Sequence, residues 1–152
     1  MIEYKKVDDL KKNRYMDELL ALSRMWADEH SCLSYSANES DEFINHDVYI
    51  ALDDDRVVAY GLGNIKELEK KTSYNEIGEK AFFLDELYVA AEYRNRGIGK
   101  ALYKFMEEDV KEKVDVISVI ATSNEYKKLL NFYIEDLDMK FNHAQLTKRM
   151  HE

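Results

Sequence analysis

The sequence predicts a single α/β domain, and three observations lead to this prediction. Segments rich in β-branched and aromatic residues alternate along the chain with amphipathic segments of helical period. The run LYVAAEYRNRGIGKAL, residues 87–102, joins an apolar strand to an amphipathic helix through a glycine turn. The chain has 152 residues, of which 45% are hydrophobic, and it shows no repeat or linker. Residues 1–152 are therefore predicted to form one domain.

The individual elements are predicted from the period of the apolar residues. The N-terminal part is predicted to contain a strand at 2–7, a helix from about Asp8 to His30 and a short helix before Asn45. DVYIAL (47–52) and RVVAYGLGNI (56–65) are typical of a hairpin, because an acidic turn separates them. The C-terminal part is predicted to contain a strand at 81–89, a helix at 97–113, a strand at 114–121, a helix at 124–137 and a closing strand at 139–149.

The composition argues against several classes of protein. The net charge of −9 disfavours a nucleic-acid-binding protein, which has to neutralise phosphates. No apolar stretch approaches the length that spans a bilayer, and the N-terminal MIEYKKVDDL does not resemble a signal peptide. The single cysteine, Cys32, cannot form an internal disulfide, so we expect a cytoplasmic protein. The four histidines show no metal-ligand spacing, and no metal site is predicted.

The turn at Gly97-Ile98-Gly99 predicts a site for a pyrophosphate-sized anion. Glycines let backbone N–H groups come close to a ligand where a Cβ would intrude. The first N–H groups of a helix lack intrahelical partners and lie at the positive end of the helix dipole. Basic side chains at Arg94, Arg96 and Lys100 add positive charge around these groups.

The spacing of the glycines separates this turn from two other phosphate-binding motifs. The P-loop requires G-x-x-x-x-G-K-[ST], and the dinucleotide fingerprint requires a third glycine where this chain has Leu102. Arg94, Gly97 and Gly99 instead match [RQ]-x-x-G-x-[GA], the central motif of the GCN5-related N-acetyltransferases, or GNAT family. The flanking strand and helix, and the order of elements along the chain, also resemble this family.

This resemblance implies a GNAT-type fold, with a mixed, mostly antiparallel central sheet flanked by helices, and acetyl-CoA as the cosubstrate. In the family, the cofactor pairs with the strand that corresponds here to Leu87, Tyr88 and Val89. Its pyrophosphate lies on the following turn, which here comprises Arg94, Asn95, Arg96, Gly97, Ile98, Gly99 and Lys100. Asn124 resembles the polar residue that contacts the pantetheine arm of the cofactor.

Two adjacent carboxylates, Asp85 and Glu86, interrupt the apolar strand 81–89. Neighbouring residues of a strand point to opposite faces, so the two side chains are expected to have different tasks. Burial raises the pKa of a carboxyl toward the range useful to a general base, but a structural ion pair is an alternative. The family resemblance implies that Glu86 deprotonates or holds the acceptor amine, with Asp85 or a water chain as alternatives for the base.

Tyr133 belongs to an apolar stripe of helical period, which by itself indicates a core residue. The segment NFYIEDLDMKF, residues 131–141, resembles the Phe-Tyr-x-x-x-Gly ending of the family, in which the tyrosine protonates the departing thiolate. A phenol with a pKa near ~10 is suited to this task. Asp138 replaces the usual glycine, with about one residue added before it; Asp tolerates the left-handed conformation, so the turn is expected to survive.

Residues 25–55 contain nine acidic side chains and neither Lys nor Arg. Acidic walls concentrate cationic substrates, and in the family this region forms much of the acceptor wall. A solvated acidic surface is the alternative interpretation. The residues predicted to bind the acceptor, which include two aromatic side chains, are Trp26, Asp28, Glu29, Tyr35 and Asp85.

The function implied is an acetyl-CoA-dependent N-acetyltransferase acting on the primary amine of a small cation, of the aminoglycoside or polyamine type. One alternative is a protein N-terminal or lysine acetyltransferase. An alternative from another class is an inactive acyl-CoA sensor or structural subunit. No nucleic-acid or membrane partner is expected, and the sequence leaves the acceptor and the oligomeric state, a homodimer included, open.

Overall fold

Five strands form one sheet in the order β1-β2-β3-β4-β5 in the computed structural model, which describes residues 1–152. Every neighbouring pair is antiparallel except β4 and β5, which run parallel. The strands are β1 (Ile2–Lys6), β2 (Asp47–Asp53), β3 (Arg56–Glu67), β4 (Lys80–Val89) and β5 (Val116–Val119). The predicted α/β fold with a mixed, mostly antiparallel sheet is therefore confirmed.

Helices cover both faces of this sheet. α1 (Tyr15–Glu29) and α2 (Ser40–Ile44) pack on one face, where Leu19 and Phe43 are fully buried. α3 (Ile98–Val110) packs on the other face through residues at helical spacing, including Leu102 and Met106. α4 (Tyr126–Asn131) follows β5 and continues through a π-helical turn, Phe132–Asp136. The sheet is buried between the two layers because both of its faces are apolar.

α1 begins at Tyr15 and not near Asp8, where the periodicity placed it. The Asn13 side chain accepts a hydrogen bond from the Tyr15 backbone N–H (2.9 Å) and donates to the Asp8 and Asp9 carbonyls. Asp9 also has a positive φ of 44°, which is incompatible with a continuing helix. An Asx-type turn at Asn13 and the left-handed residue Asp9 therefore set the start of the helix.

The closing strand predicted at 139–149 is wrong, because the chain forms no strand after Asp138. Phe141 and Leu146 are exposed, so neither face of this segment is buried against the sheet. Alternating residues stabilise a strand only when one face packs against neighbours. By contrast, Asp138 takes the left-handed conformation (φ 58°), as predicted. No helix has the length and apolar character that crossing a membrane requires.

Candidate active site

β4 contains a β-bulge at the point where a cleft enters the surface of the protein. Between Leu62 and Gly63 of β3, the partner on β4 changes from Glu86 to Leu84, so Asp85 is an extra residue. Leu84 packs on the α3 face and Tyr88 on the α1 face. The strict alternation predicted across Asp85 and Glu86 therefore does not hold, because the extra residue interrupts it.

Immediately after the paired stretch, β4 and β5 separate. Their parallel pairing ends at Leu84 and Val119, whereas β4 stays paired with β3 up to Val89. A cleft of about 580 Å³ lies between the two strands, lined by residues 84–89 on one side and 119–123 on the other. Because a bulge bends its strand, the bulge at Asp85 accounts for the separation.

The backbone of β4 presents hydrogen-bonding groups to this cleft. The Ala90 N–H donates to the Val58 carbonyl of β3 (2.9 Å), so the groups of Ala90 face the sheet. The Val89 carbonyl points away from β3 and accepts from Arg94 Nε at 2.9 Å. Since the N–H and C=O of one strand residue point to the same side, the Val89 N–H also faces the cleft.

The N-terminus of α3 lies at one end of the cleft, which we call the α3 end. Gly97 has a left-handed φ of 78° and precedes the helix without a side-chain cap or an acidic first turn. A Cβ at Gly97 would find no atom within 4 Å, so the space in front of the turn is open. The first bonded N–H of the helix is that of Ala101, which leaves the preceding amides available to an anion.

Basic side chains add to this end. Lys100 and Lys128 line the cleft, and neither lysine takes part in an ion pair. Arg94 is already engaged, since its Nη2 donates to both Glu29 oxygens at 2.6 and 2.8 Å. Glu29 also accepts a hydrogen bond from the Tyr88 hydroxyl (2.8 Å). Because both of its partners, Arg94 and Tyr88, lie near the start of α3, we assign the Glu29 carboxylate to the α3 end.

Glu86 defines the opposite end of the cleft, the Glu86 end, and three side chains donate to it. Tyr60 Oη reaches Oε1 at 2.8 Å, and Tyr35 Oη reaches the same oxygen at 3.1 Å. Asn38 Nδ2 donates to Oε1 at 3.0 Å and to Oε2 at 2.9 Å. Oε2 thus accepts from Asn38 alone and keeps more capacity for a ligand.

The two tyrosine hydroxyls act as donors in this network. Burial raises the pKa of Tyr35 to about 12. Burial, followed by the negative charge of Glu86, raises the pKa of Tyr60 well above its ordinary value. Both phenols therefore keep their protons at neutral pH and donate hydrogen bonds to Glu86.

Buried contacts fix the loop that carries Tyr35 and Asn38. The fully buried Ser23 hydroxyl of α1 lies 2.6 Å from Tyr35 Oη and accepts the Asn38 backbone N–H at 2.7 Å. Trp26 stacks between the rings of Tyr35 and Tyr88, with centroid distances of 4.2 and 5.2 Å. The loop between α1 and α2 is thereby held against β4, which fixes the orientation of Glu86.

Tyr133 lies on the π-helical turn that ends α4. The Leu137 N–H bonds to the Phe132 carbonyl, five residues back, which absorbs one extra residue in the helix. Tyr133 is 6% exposed, and its hydroxyl has no hydrogen-bond partner. No fully buried polar side-chain atom of the protein lacks a hydrogen-bond partner, so the unpartnered hydroxyl of Tyr133 is accessible. Because Tyr133 lines the cleft, the hydroxyl faces the cleft. Burial, followed by the nearby Cys32, raises the pKa of this phenol above its ordinary value.

The segment after α1, residues 30–32, which we call the strap, is hydrogen-bonded to residues 122–124 after β5. Asn124 donates through its backbone N–H to the Ser31 carbonyl (2.8 Å) and through Nδ2 to the His30 carbonyl (2.9 Å). Cys32 Sγ donates to the Thr122 carbonyl at 2.8 Å. The Asn124 amide, predicted to contact the pantetheine arm, therefore bonds to the strap and does not line the cleft.

The structure brings most of the predicted site residues to this one cleft. Arg96 is an exception, with its guanidinium over the Tyr93 ring at 5.1 Å. Asp28 is exposed outside the cleft, and Tyr35 contacts Glu86 without lining the cleft. The other predicted residues that line the cleft are Trp26, Glu29, Asp85, Glu86, Leu87, Tyr88, Val89, Arg94, Asn95, Gly97, Ile98, Gly99, Lys100 and Tyr133.

The acidic stretch 25–55 is not one wall. Of its nine acids only Glu29 lines the cleft. Asp53 accepts from the Tyr93 hydroxyl, Asp55 pairs with Arg14, and Asp47 pairs with Lys6. The acidic groups at the Glu86 end are Asp85, which pairs with His46 at 3.1 Å, and Glu86 itself.

Sequence reasoning missed several residues of the site. Tyr60 and Asn38 hold Glu86, while Cys32 and Lys128 line the cleft. Tyr60 sits in an apolar strand and Lys128 in a helix with several polar positions, so neither carries a local signal. Their place in the site can be recognised only in the folded chain, where distant segments come together.

The chain belongs to the acetyltransferase (GNAT) family, whose sequence profile matches residues 13–138. No curated protein sequence matches the chain significantly.

Solved structures of GNAT acetyltransferases share the whole fold. An aminoglycoside acetyltransferase from an uncultured soil metagenomic sample is 19% identical, with a TM-score of 0.72 over 99% of both chains. The aminoglycoside N-acetyltransferase AAC(6′)-Iy in complex with CoA is 12% identical, with a TM-score of 0.68 over 98% of this chain and 99% of that one. A ribosomal-protein-alanine N-acetyltransferase from Brucella melitensis biovar Abortus 2308 is 16% identical, with a TM-score of 0.66 over 99% and 100%.

Proposed function

We propose that this protein transfers the acetyl group of acetyl-CoA to the primary amine of a small cationic molecule, of the aminoglycoside or polyamine class. The observation that carries the proposal is the charge separation within one cleft. Free helix amides and the unpaired Lys100 lie at the α3 end, and two carboxylates lie at the Glu86 end. An anionic and a cationic substrate would therefore approach each other from opposite ends.

The α3 end fits the phosphates of acetyl-CoA. The open space at Gly97, the unbonded first amides of α3 and the ammonium of Lys100 form a site for a pyrophosphate. Residues 87–89 offer backbone groups along which an amide-containing arm can pair as a strand does. When bound, acetyl-CoA supplies an acetyl group activated as a thioester.

The Glu86 end fits the acceptor amine. Glu86 Oε2 accepts a proton or a hydrogen bond from the ammonium, while Oε1 is occupied by Tyr35 and Tyr60. The donors fix the carboxylate, so it does not have to reorganise when the amine binds. Asp85 adds a second negative charge beside it, which favours acceptors with more than one cationic group.

Two further groups complete the proposed chemistry. The Val89 N–H faces the cleft and donates to the acyl oxygen, where negative charge develops during attack by the amine. The unpartnered Tyr133 hydroxyl donates its proton to the departing sulfur. Its raised pKa keeps the phenol protonated across the neutral range.

The test is a thiol-release assay with a panel of amines. The panel contains an aminoglycoside, a linear polyamine, a monoamine, a peptide with a free N-terminal alanine and a peptide with one lysine. We expect the polycations to give the highest kcat/KM and Glu86→Gln to abolish most of that activity. Preference for either peptide would support the protein-acetylating alternative, and acetyl-CoA binding without turnover on any amine would support a sensor.

A further inference from the structure

The Cys32 thiol lies in the cleft, where the strap crosses it. Sγ donates to the Thr122 carbonyl at 2.8 Å and lies 3.7 Å from Thr122 Oγ1. Both residues line the cleft, and Cys32 is only partly buried. The mechanism above does not use this thiol.

The neighbouring Tyr133 hydroxyl indicates where a ligand atom binds. The side chain of Tyr133 is more than nine-tenths buried, yet its hydroxyl is unpartnered and faces the same cleft. Cys32 and Tyr133 line this cleft together, and Cys32 adds to the rise that burial causes in the pKa of the phenol. A ligand atom that accepts the hydrogen bond of Tyr133 therefore lies in the same cleft as the Cys32 thiol.

We propose that Cys32 is a thiol–disulfide exchange site for CoA disulfide, the oxidised dimer of coenzyme A. The inference rests on the proposed function, because it requires the cofactor sulfur to lie at Tyr133. Phosphates of one CoA half would occupy the α3 end, and the disulfide would then lie next to Sγ. The second half would extend from the cleft toward solvent.

The exchange is balanced without any further reagent. The Cys32 thiolate attacks one sulfur of CoA disulfide, so that a bond forms between Sγ and that sulfur and the bond between the two CoA sulfurs breaks. The second CoA leaves as a thiolate and takes up a proton, for which the Tyr133 hydroxyl in the same cleft is a donor. The proton released by Cys32 balances this uptake, and the oxidising equivalents of the disulfide remain in the new mixed disulfide. The product occupies the cleft covalently, so the ratio of CoA disulfide to CoA would control activity.

Intact-mass spectrometry of the folded protein tests this proposal with two disulfides at equal concentration, CoA disulfide and oxidised glutathione. We expect a gain of one CoA moiety at Cys32, formed at least about tenfold faster than the glutathione adduct, because binding holds the CoA disulfide beside the thiol. Dithiothreitol should remove the adduct. In urea, where no cleft exists, the two disulfides should react at similar rates.

Matched variants separate recognition from simple thiol reactivity. Lys100→Gln should slow formation of the CoA adduct and leave the glutathione rate unchanged, whereas Lys104→Gln, one turn further along α3, should change neither. Equal rates for the two disulfides in the folded protein would overturn the inference. Calorimetry with acetyl-CoA is run in parallel: binding without selective adduct formation overturns this inference alone, and absence of binding overturns the proposed function as well.

Discussion

The two ends of the cleft are built in different ways. The anion-binding part of the α3 end consists of consecutive residues, a left-handed glycine followed by the first turn of a helix. The Glu86 end is assembled from Ser23 of α1, Tyr35 and Asn38 of the next loop, Tyr60 of β3 and Glu86 of β4. Backbone amides hold their positions whatever the side chains do. The carboxylate is oriented only as long as each of its donors is in place, so the Glu86 end should be the more sensitive to mutation.

The largest effect is expected at Glu86. Glu86→Gln removes the proposed proton acceptor and places an amide opposite groups that donate, so kcat should fall about 10²- to 10³-fold. Acetyl-CoA affinity, measured by calorimetry, should stay within about twofold, since the α3 end is untouched. Asp85→Asn is the matched comparison. If Asp85→Asn proves the more damaging of the two, Asp85 is the base and the network around Glu86 is structural.

A somewhat smaller loss is expected for Tyr133→Phe, where kcat should fall roughly 10²-fold with unchanged cofactor affinity. Tyr126→Phe on the exposed part of the same helix serves as the control. Because burial raises the pKa of Tyr133 above the ordinary ~10, the phenol loses its proton only at higher pH. The pH–rate profile should therefore show no basic limb from Tyr133 below about pH 10. A limb in this range that is absent in Tyr133→Phe would contradict the raised pKa, and an unchanged kcat in Tyr133→Phe would contradict the role as proton donor.

At the α3 end, Lys100→Gln should weaken acetyl-CoA binding about tenfold, or about 1.4 kcal/mol, with little change in kcat. The wild-type affinity should also decrease with added salt, because exposed charges are screened beyond a Debye length of ~8 Å. Calorimetry of the wild type, Lys100→Gln and the control Lys104→Gln, at low and at high salt, measures the loss of affinity and its salt dependence. An equal loss in the two variants would mean that only general charge matters.

The smallest effect on turnover is expected for Tyr60→Phe, which keeps the buried ring and removes one donor from Glu86. Loss of a hydrogen bond to a charged group should lower the free energy of unfolding by about 1.5–3 kcal/mol. With Tyr35 and Asn38 still in place, kcat should fall only several-fold. Urea denaturation and steady-state kinetics test the two parts; a stability loss without any change in kcat would show that the remaining donors orient Glu86 fully.

The same contrast explains how much could be predicted from the sequence. The α3 end was predictable because its chemistry is contained in residues 94–100. The Glu86 network joins residues 26 to 51 positions apart, and periodicity carries no information on such contacts. The bulge at Asp85 interrupts the alternation that the sequence predicted for β4. Glu29, predicted to bind the acceptor, instead forms an ion pair with Arg94, which is 65 residues away in the chain. The closing strand at 139–149 was wrongly predicted for a related reason. The alternation of its residues is a local pattern, whereas a strand forms only when it pairs with a neighbouring strand.

The central claim is that the two ends bind different substrates independently. Initial velocities with acetyl-CoA and the preferred amine both varied test it most directly, in wild type, Lys100→Gln, Asp85→Asn and the double variant. We expect Lys100→Gln to raise only the KM for acetyl-CoA, Asp85→Asn to raise only the KM for the amine, and the double variant to show the sum of the two free-energy changes. If both substitutions raise the same KM, or the double variant is no worse than one of them, the cleft does not have two separate ends and the account is contradicted.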